Sequence, residues 1–204
     1  MKNFENYENK DSIARWENRY QDKLTGWERG EVNQALLNWL DQGHLQPGTI
    51  LIPGCGRSPE PGFLAELGFD VTGLDFAPSA IEHQRAEIKK SPKNLKLRFE
   101  QVDVLTWLPE QPVDAVYEQT CLCALQPKHR TAYERQLQRW LRPGGKLFAL
   151  FMQTPEDDGP PFHCDLEDMK TLFDDSRWYW QDVGHITSEH SDQKQELGRI
   201  LIRR

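Results

Sequence analysis

The residues with the clearest chemical potential are two glycines and an acid in the first half of the chain. Gly54 and Gly56, in the turn Pro53-Gly54-Cys55-Gly56, allow a tight reversal and let a ligand approach bare backbone. Asp75 follows Gly56 by 19 residues, where a carboxylate ending the next strand accepts hydrogen bonds from ribose hydroxyls. This spacing suits a dinucleotide or S-adenosylmethionine, and a glycine turn that holds no ligand is the plain alternative. The third glycine of a dinucleotide fingerprint would fall at position 59, which is Pro59, preceded by Ser58. A proline there opposes the close packing and free amides a pyrophosphate needs, whereas an adenosine ligand without phosphates makes no such demand. Farther on, Pro143-Gly144-Gly145 precedes Lys146–Phe151, a turn followed by a strand.

Other reactive side chains form weaker patterns. Cys121 and Cys123 make a single CxC without a second ligand pair, and His129 adds little, so small packing beside a ligand is expected of them. His163-Cys164, His185 and His190 show no metal spacing. His163 follows the stiff Gly159-Pro160-Pro161-Phe162 and either borders a pocket or is an exposed loop residue. Trp16 and Tyr20 are expected to pack the N-terminal arm onto the rest of the chain. No catalytic metal and no Ser-His-Asp or paired-carboxylate arrangement is read.

These groups need a scaffold. Residues 1–46 are polar and read as one or two helices, with Ser12 a possible cap and Val32, Leu36, Leu37 and Leu40 at helical spacing. From residue 48 strands and helices alternate. Strands are expected at 49–52, 69–75, 95–102, 113–118, 146–152, 178–186 and 197–203, with helices at about 60–67, from Pro78, and between Pro127 and Leu141. Gly68 reads as a C-cap, Pro78 as a first-turn proline, and Pro143-Gly144-Gly145 as a stop and turn. Such alternation predicts a doubly wound, mostly parallel α/β sheet. The last two strands leave no room for a helix between them, so an antiparallel pair at the sheet edge is expected. The domain reading is one unit over 1–204, with 1–46 a helical lid and 48–204 the sheet core.

At 204 residues, 37% hydrophobic and 28% charged, the chain has the composition of a folded domain. Twenty-five basic against 32 acidic residues give a net charge of −7, which argues against a nucleic-acid partner. No apolar run approaches the ~20 residues that span a bilayer. The polar, acidic N-terminus does not read as a targeting peptide, and four cysteines suggest a reduced, cytoplasmic setting. A small-molecule substrate and a monomer are the expected partnership.

Several segments together resemble the thiopurine and thiol methyltransferase superfamily, and most closely its halide/thiol branch. They are TGWERG (25–30), LIPGCGRSPE (51–60), GFDVTGLD (68–75), YEQTCLCAL (117–125), LRPGGKLFALF (141–151) and GPPF (159–162), in the family's order and approximate spacing. The likeness runs over roughly residues 12–175. It implies a seven-stranded class I methyltransferase fold with the N-terminal segment over the cofactor, S-adenosyl-L-methionine. It implies cofactor contacts from Trp27, Gly54, Gly56, Asp75, the Asp103-Val104 pair flanking the adenine, and Gln119. Arg130 aligns with an arginine near cofactor and substrate, and Phe162 belongs to the loop that borders the acceptor. Ser58-Pro59-Glu60 stands where the family usually has glycine, aromatic and aspartate, Glu118 where aspartate is usual, and Gln119 where the plant branch is aromatic.

The resemblance implies methyl transfer to a small soft nucleophile: a thiol, hydrosulfide or halide. Thiopurine or selenium and tellurium species are alternative acceptors, and a non-catalytic nucleotide-binding module is the rival of another class. A thiolate or halide is already a competent nucleophile, so no protein base is assigned.

Overall fold

The computed structural model describes residues 13–91, 94–156, 158–190 and 194–204. Seven strands form one sheet among these: β1 (Thr49–Pro53), β2 (Asp70–Asp75), β3 (Leu97–Gln101), β4 (Val113–Gln119), β5 (Leu141–Gln153), β6 (Trp178–Glu189) and β7 (Gln195–Arg203). Their spatial order is β3-β2-β1-β4-β5-β7-β6. The helices are α1 (Ile13–Gln21), α2 (Gln34–Asp41), α3 (Glu60–Glu66), α4 (Pro78–Lys90), α5 (Arg130–Trp140) and α6 (Leu166–Leu172). Ser12 lies outside the described residues.

The central strands are apolar on both faces, as strands covered on each side by helices must be. Along β1, Leu51 points into one core and Ile50 and Ile52 into the other. The first core gathers Val116, Leu147 and Phe151 against Tyr133, Leu137 and Trp140 of α5 and Met169 of α6. The second packs Val71, Phe99, Tyr117 and Phe148 against Leu36 and Trp39 of α2, Leu64 of α3 and Ile81 of α4. Period-two alternation thus divides each strand between two helical layers.

β1 through β5 run parallel, and β7 runs against β5 on one side and β6 on the other. The strand of opposite direction therefore lies one position in from the edge. Pro143-Gly144-Gly145 does not end an element before the strand. β5 starts at Leu141 and carries the three residues as a bulge, its register on β4 moving from Val113–Leu141 to Ala115–Lys146. Gly144 takes φ +75° there, a value few other residues tolerate. The short helix α6, not anticipated from the sequence, is capped by Asp165, which accepts the amides of Glu167 and Asp168.

Strand order reverses between β1 and β4, and the crevice beyond the carboxyl ends of parallel strands is where such sheets bind ligands. α1 and the segment through Glu31 pass over that crevice. Glu17 of α1 accepts the Ser79 amide at 2.9 Å and the Ser79 hydroxyl, fixing the arm to the start of α4. Tyr20 buries against Ala77 and Ala80 with Trp16 and Trp27 beside it.

Candidate functional site

β1 delivers its glycine turn and β2 its acid to the same rim. Gly54 and Gly56 have φ of +59° and +50°, the left-handed region that favours glycine. A side chain on Gly54 would meet Cys121 Cβ at 3.0 Å, and one on Gly56 would meet the Tyr20 hydroxyl at 2.8 Å. The Asp75 carboxylate accepts the Gly56 amide through Oδ2 and the Ala77 amide through Oδ1, each at 2.9 Å. Asp75 is only 7% exposed, so it lies beneath the arm and not on the open rim that strand position alone suggests. Burial pushes its carboxyl above the ordinary range, and the amides of Ala77 and Gly56 oppose that shift. From α4, the Gln84 amide donates to the Gly56 and Ser58 carbonyls at 3.0 and 2.8 Å, bracing the turn from below.

A cavity of about 510 Å³ opens at this rim, within the roughly 300–1,000 Å³ usual for small-molecule sites. Its walls include Trp27, Gly54, Asp75, Asp103 and Val104. Trp16 and Tyr20 join them, so these two both pack the arm and face the cavity. The rings meet edge to face, Trp27 lying 5.3 Å from Trp16 and 5.6 Å from Tyr20 between centroids. Arg19 lies 5.1 Å over Trp27. The signal for Trp16 and Tyr20 in the sequence was their helical spacing with Arg19, which puts aromatic and cation on neighbouring turns of α1.

The opposite wall comes from the turn after β4 and from the loops beyond β5. Thr120, at φ +59°, turns the chain so that Cys121, Cys123 and Leu125 face the cavity with Met152, Pro160 and Pro161. Glu118 holds this turn from behind, accepting the Leu122 amide at 2.6 Å. Burial raises its carboxyl to about 7, against the Leu122 and Cys121 amides and the Arg130 charge. Burial likewise lifts the Cys121 and Cys123 thiols well above their usual value.

Four expected contacts lie outside the main cavity: Gly56, Gln119, Arg130 and Phe162. Gln119 donates to Glu196 at 3.2 Å and accepts the Tyr117 hydroxyl at 2.8 Å, facing a second, smaller cavity that Gly56 also borders. Arg130 and Phe162 are not among the walls of the main cavity. Arg130 donates to the His163 carbonyl at 2.8 Å, and the Phe162 amide donates to the Cys123 carbonyl at 2.7 Å. They fasten the 159–164 loop, so it is Pro160 and Pro161 that reach the cavity. His163 turns away as well, its Nδ1 lying 3.1 Å from the Thr154 amide and carbonyl.

The donors present suit an adenosine ligand bearing a positive centre. Backbone at Gly54 leaves room for close approach, Asp75 offers a buried acceptor for hydroxyls, and the tryptophan faces attract a cation. Fold and site together define a class I S-adenosylmethionine-dependent methyltransferase.

Comparison with known proteins agrees. The family model described as thiopurine S-methyltransferase matches residues 12–200, and the chain belongs to that family. Thiocyanate methyltransferase 1 of Brassica oleracea is 31% identical over 72% of this chain and 66% of its own length. The thiopurine S-methyltransferase of Vibrio cholerae is 28% identical over 78% of this chain and 79% of its own. The chain thus spans about two thirds of the plant relative's length. The magnesium protoporphyrin IX methyltransferase of Synechocystis, solved with S-adenosylmethionine bound, shares the fold. Its TM-score is 0.73 at 14% identity, covering 95% of this chain and 98% of that one. No helix among the described residues is long and apolar enough to cross a membrane.

Proposed function

We propose that this chain transfers the methyl group of S-adenosylmethionine to a thiol, hydrosulfide or halide. The observation that carries the reading is a single cavity in which Asp75, Gly54 and the three arm aromatics face a sulfur-rich wall of Cys121, Cys123 and Met152. In this reading Asp75 holds the ribose, Asp103 and Val104 flank the adenine, and Trp27 covers the sulfonium. Pro160, Pro161 and Leu125 form the acceptor end. Gly56 braces Asp75 through its amide and Gln119 shares Glu196 with Asn33, the cap of α2, while Arg130 and Phe162 hold the acceptor loop. The N-terminal arm acts as the lid on a one-unit fold working as a monomer on small molecules. Four free buried cysteines support a reducing, cytoplasmic setting.

When bound, S-adenosylmethionine would supply an electrophilic methyl carbon open to in-line attack by the acceptor's lone pair, with S-adenosylhomocysteine as the leaving group. The protein's part is to hold both partners at reacting distance, a contribution of up to ~7–11 kcal/mol in favourable systems. The apolar wall excludes water from a soft anion, and it does so without offering a rival nucleophile. Two thiols stand on that wall, and burial keeps both protonated, which spares the enzyme from methylating itself.

The test is a binding series followed by an acceptor screen. S-adenosylmethionine and S-adenosylhomocysteine raise the melting temperature by mass action, and NAD does not. Release of S-adenosylhomocysteine is then followed with hydrosulfide, thiols, iodide, a thiopurine and selenium or tellurium species. Stabilisation by NAD alone would overturn the reading.

A further inference from the structure

The charged side chains lining the main cavity divide between its two sides. Arg19, Asp75 and Asp103 belong to the side proposed for the nucleoside. Glu156 and Lys194 lie just beyond the ends of the paired strands β5 and β7 and line the other side. The β5–β7 ladder sets Met152 opposite Glu196 and Gln153 opposite Gln195, so Lys194 emerges one step past it, beside the Met152 wall. Its ammonium meets the Glu156 carboxylate at 3.0 Å. The pair is lopsided: the Lys194 side chain is 10% exposed and that of Glu156 56%. The His190 amide donates to the Lys194 carbonyl at 2.8 Å and fixes the backbone there.

Water screens the outer carboxylate more than the inner ammonium, so the pair leaves a positive corner in the cavity. Among the described residues Glu156 is the one hydrogen-bond acceptor for Lys194, and an ammonium has three donors. Arg19, the remaining arginine or lysine on the walls, is engaged elsewhere. Its guanidinium lies 5.1 Å over Trp27, and its Nε donates to the Leu24 carbonyl at 3.3 Å. A small anion entering an apolar cavity loses hydration, and a nearly buried ammonium offsets that loss. The contact gives no help to the chemical step, because the anion's charge vanishes as its lone pair bonds the methyl carbon. Its effect therefore falls on acceptor binding, in KM and not in kcat.

We propose that Lys194 selects acceptors by charge, drawing an anionic nucleophile to the Met152 wall while Glu156 holds the ammonium and tempers it. This rests on the methyl-transfer reading of the cavity and adds a residue that discriminates among acceptors. A group of positive charge beside the nucleophile is turned away by the same corner.

Steady-state kinetics of the full chain test this at saturating S-adenosylmethionine and constant ionic strength, since salt screens the effect. Lys194→Met should raise the iodide KM by about 3- to 30-fold, with kcat unchanged or higher. Iodide titrated calorimetrically into the S-adenosylhomocysteine complex should weaken by the same factor. Mercaptoacetate and cysteamine carry one thiol beside an anionic or a cationic group. The ratio of cysteamine KM to mercaptoacetate KM should fall in Lys194→Met, and this pair decides if iodide does not react. Glu156→Gln, at an exposed position, should lower the KM of the anionic acceptor by about 2- to 5-fold. A KM that stays or rises in Glu156→Gln overturns the proposal, whether or not Lys194→Met folds. So does an anion KM unchanged in Lys194→Met, or one that rises equally for both thiols. Release of S-adenosylhomocysteine with no acceptor at all removes the methyl-transfer reading too, whereas release with wild-type anion KM in Lys194→Met removes this proposal alone.

Discussion

Asp75 accepts the Gly56 amide at 2.9 Å, so the acid ending β2 and the glycine turn ending β1 are one hydrogen-bonded unit. Replacing Asp75 therefore does more than subtract a ligand contact. Asp75→Ala should lower S-adenosylhomocysteine affinity by about 10- to 150-fold through the lost charged acceptor. It also strands the buried Gly56 and Ala77 amides, at about 1–3 kcal/mol each, so the ligand-free protein should melt several degrees lower. Calorimetry and a thermal melt on one preparation check both. An unchanged melting temperature would mean that water replaces the carboxylate.

The arm is held by Glu17 on Ser79 at the start of α4 and by Arg29 on the Glu189 carbonyl at the end of β6. Removing residues 1–30 should abolish methyl transfer while circular dichroism still reports a folded sheet. Trp27 fluorescence should respond to cofactor in the full chain. Full activity in the shortened protein would exclude a lid.

Arg130 was expected at the substrate and is found bonding the His163 carbonyl. Arg130→Met should therefore raise the acceptor KM by about 3- to 10-fold, in keeping with loss of a charged hydrogen bond, without moving cofactor affinity. Cofactor affinity falling with it would place the guanidinium at the cofactor instead.

Stability should fall as pH rises through neutrality. Burial raises Glu196 to about 8, and Glu118 to about 7, from ordinary values near 4.5. Between those values the folded chain binds more protons than the unfolded one, so the stability derivative with pH is negative. The contribution is complete below pH ~4.5 and is lost through about pH 7 to 8. Glu196→Gln should flatten the upper part of that decline in urea titrations at pH 6 and 8.5. An equally steep decline in the variant would assign it to other groups.

The acceptor's own ionisation should set the rate profile if no protein base intervenes. Hydrosulfide should react well near neutral pH, an aliphatic thiol should keep gaining toward pH ~8.5, and iodide should be nearly flat. One bell shared by all three would reveal an acid–base pair in the enzyme.

The strand-and-helix alternation, the glycine turn and Asp75 were legible because each rests on local pattern: apolar runs, glycine spacing, a strand-end acid. What escaped depends on which way a side chain turns after the chain has packed. Gln119 occupies a rim position yet bends toward Glu196, a residue 77 positions away. Tyr20 looked like arm packing because nothing local shows that its hydroxyl comes to rest over Gly56. Strand position puts Asp75 at a rim and says nothing of the arm above it. α6 escaped for a plainer reason: seven residues are too few to establish a helical period.

The arm covering the cavity also bears on turnover order. Trp16, Tyr20 and Trp27 wall the side proposed for the nucleoside, whereas Leu125, Met152 and the prolines wall the side proposed for the acceptor. If the arm acts as the proposed lid, a ligand beneath it leaves when α1 lifts from Ser79, and a small acceptor at the far wall needs no such movement. Kinetics should then be sequential and ordered, with the donor loading first and S-adenosylhomocysteine departing last. At saturating acceptor, the lifting of the arm becomes the slow event, and kcat loses its dependence on acceptor nucleophilicity.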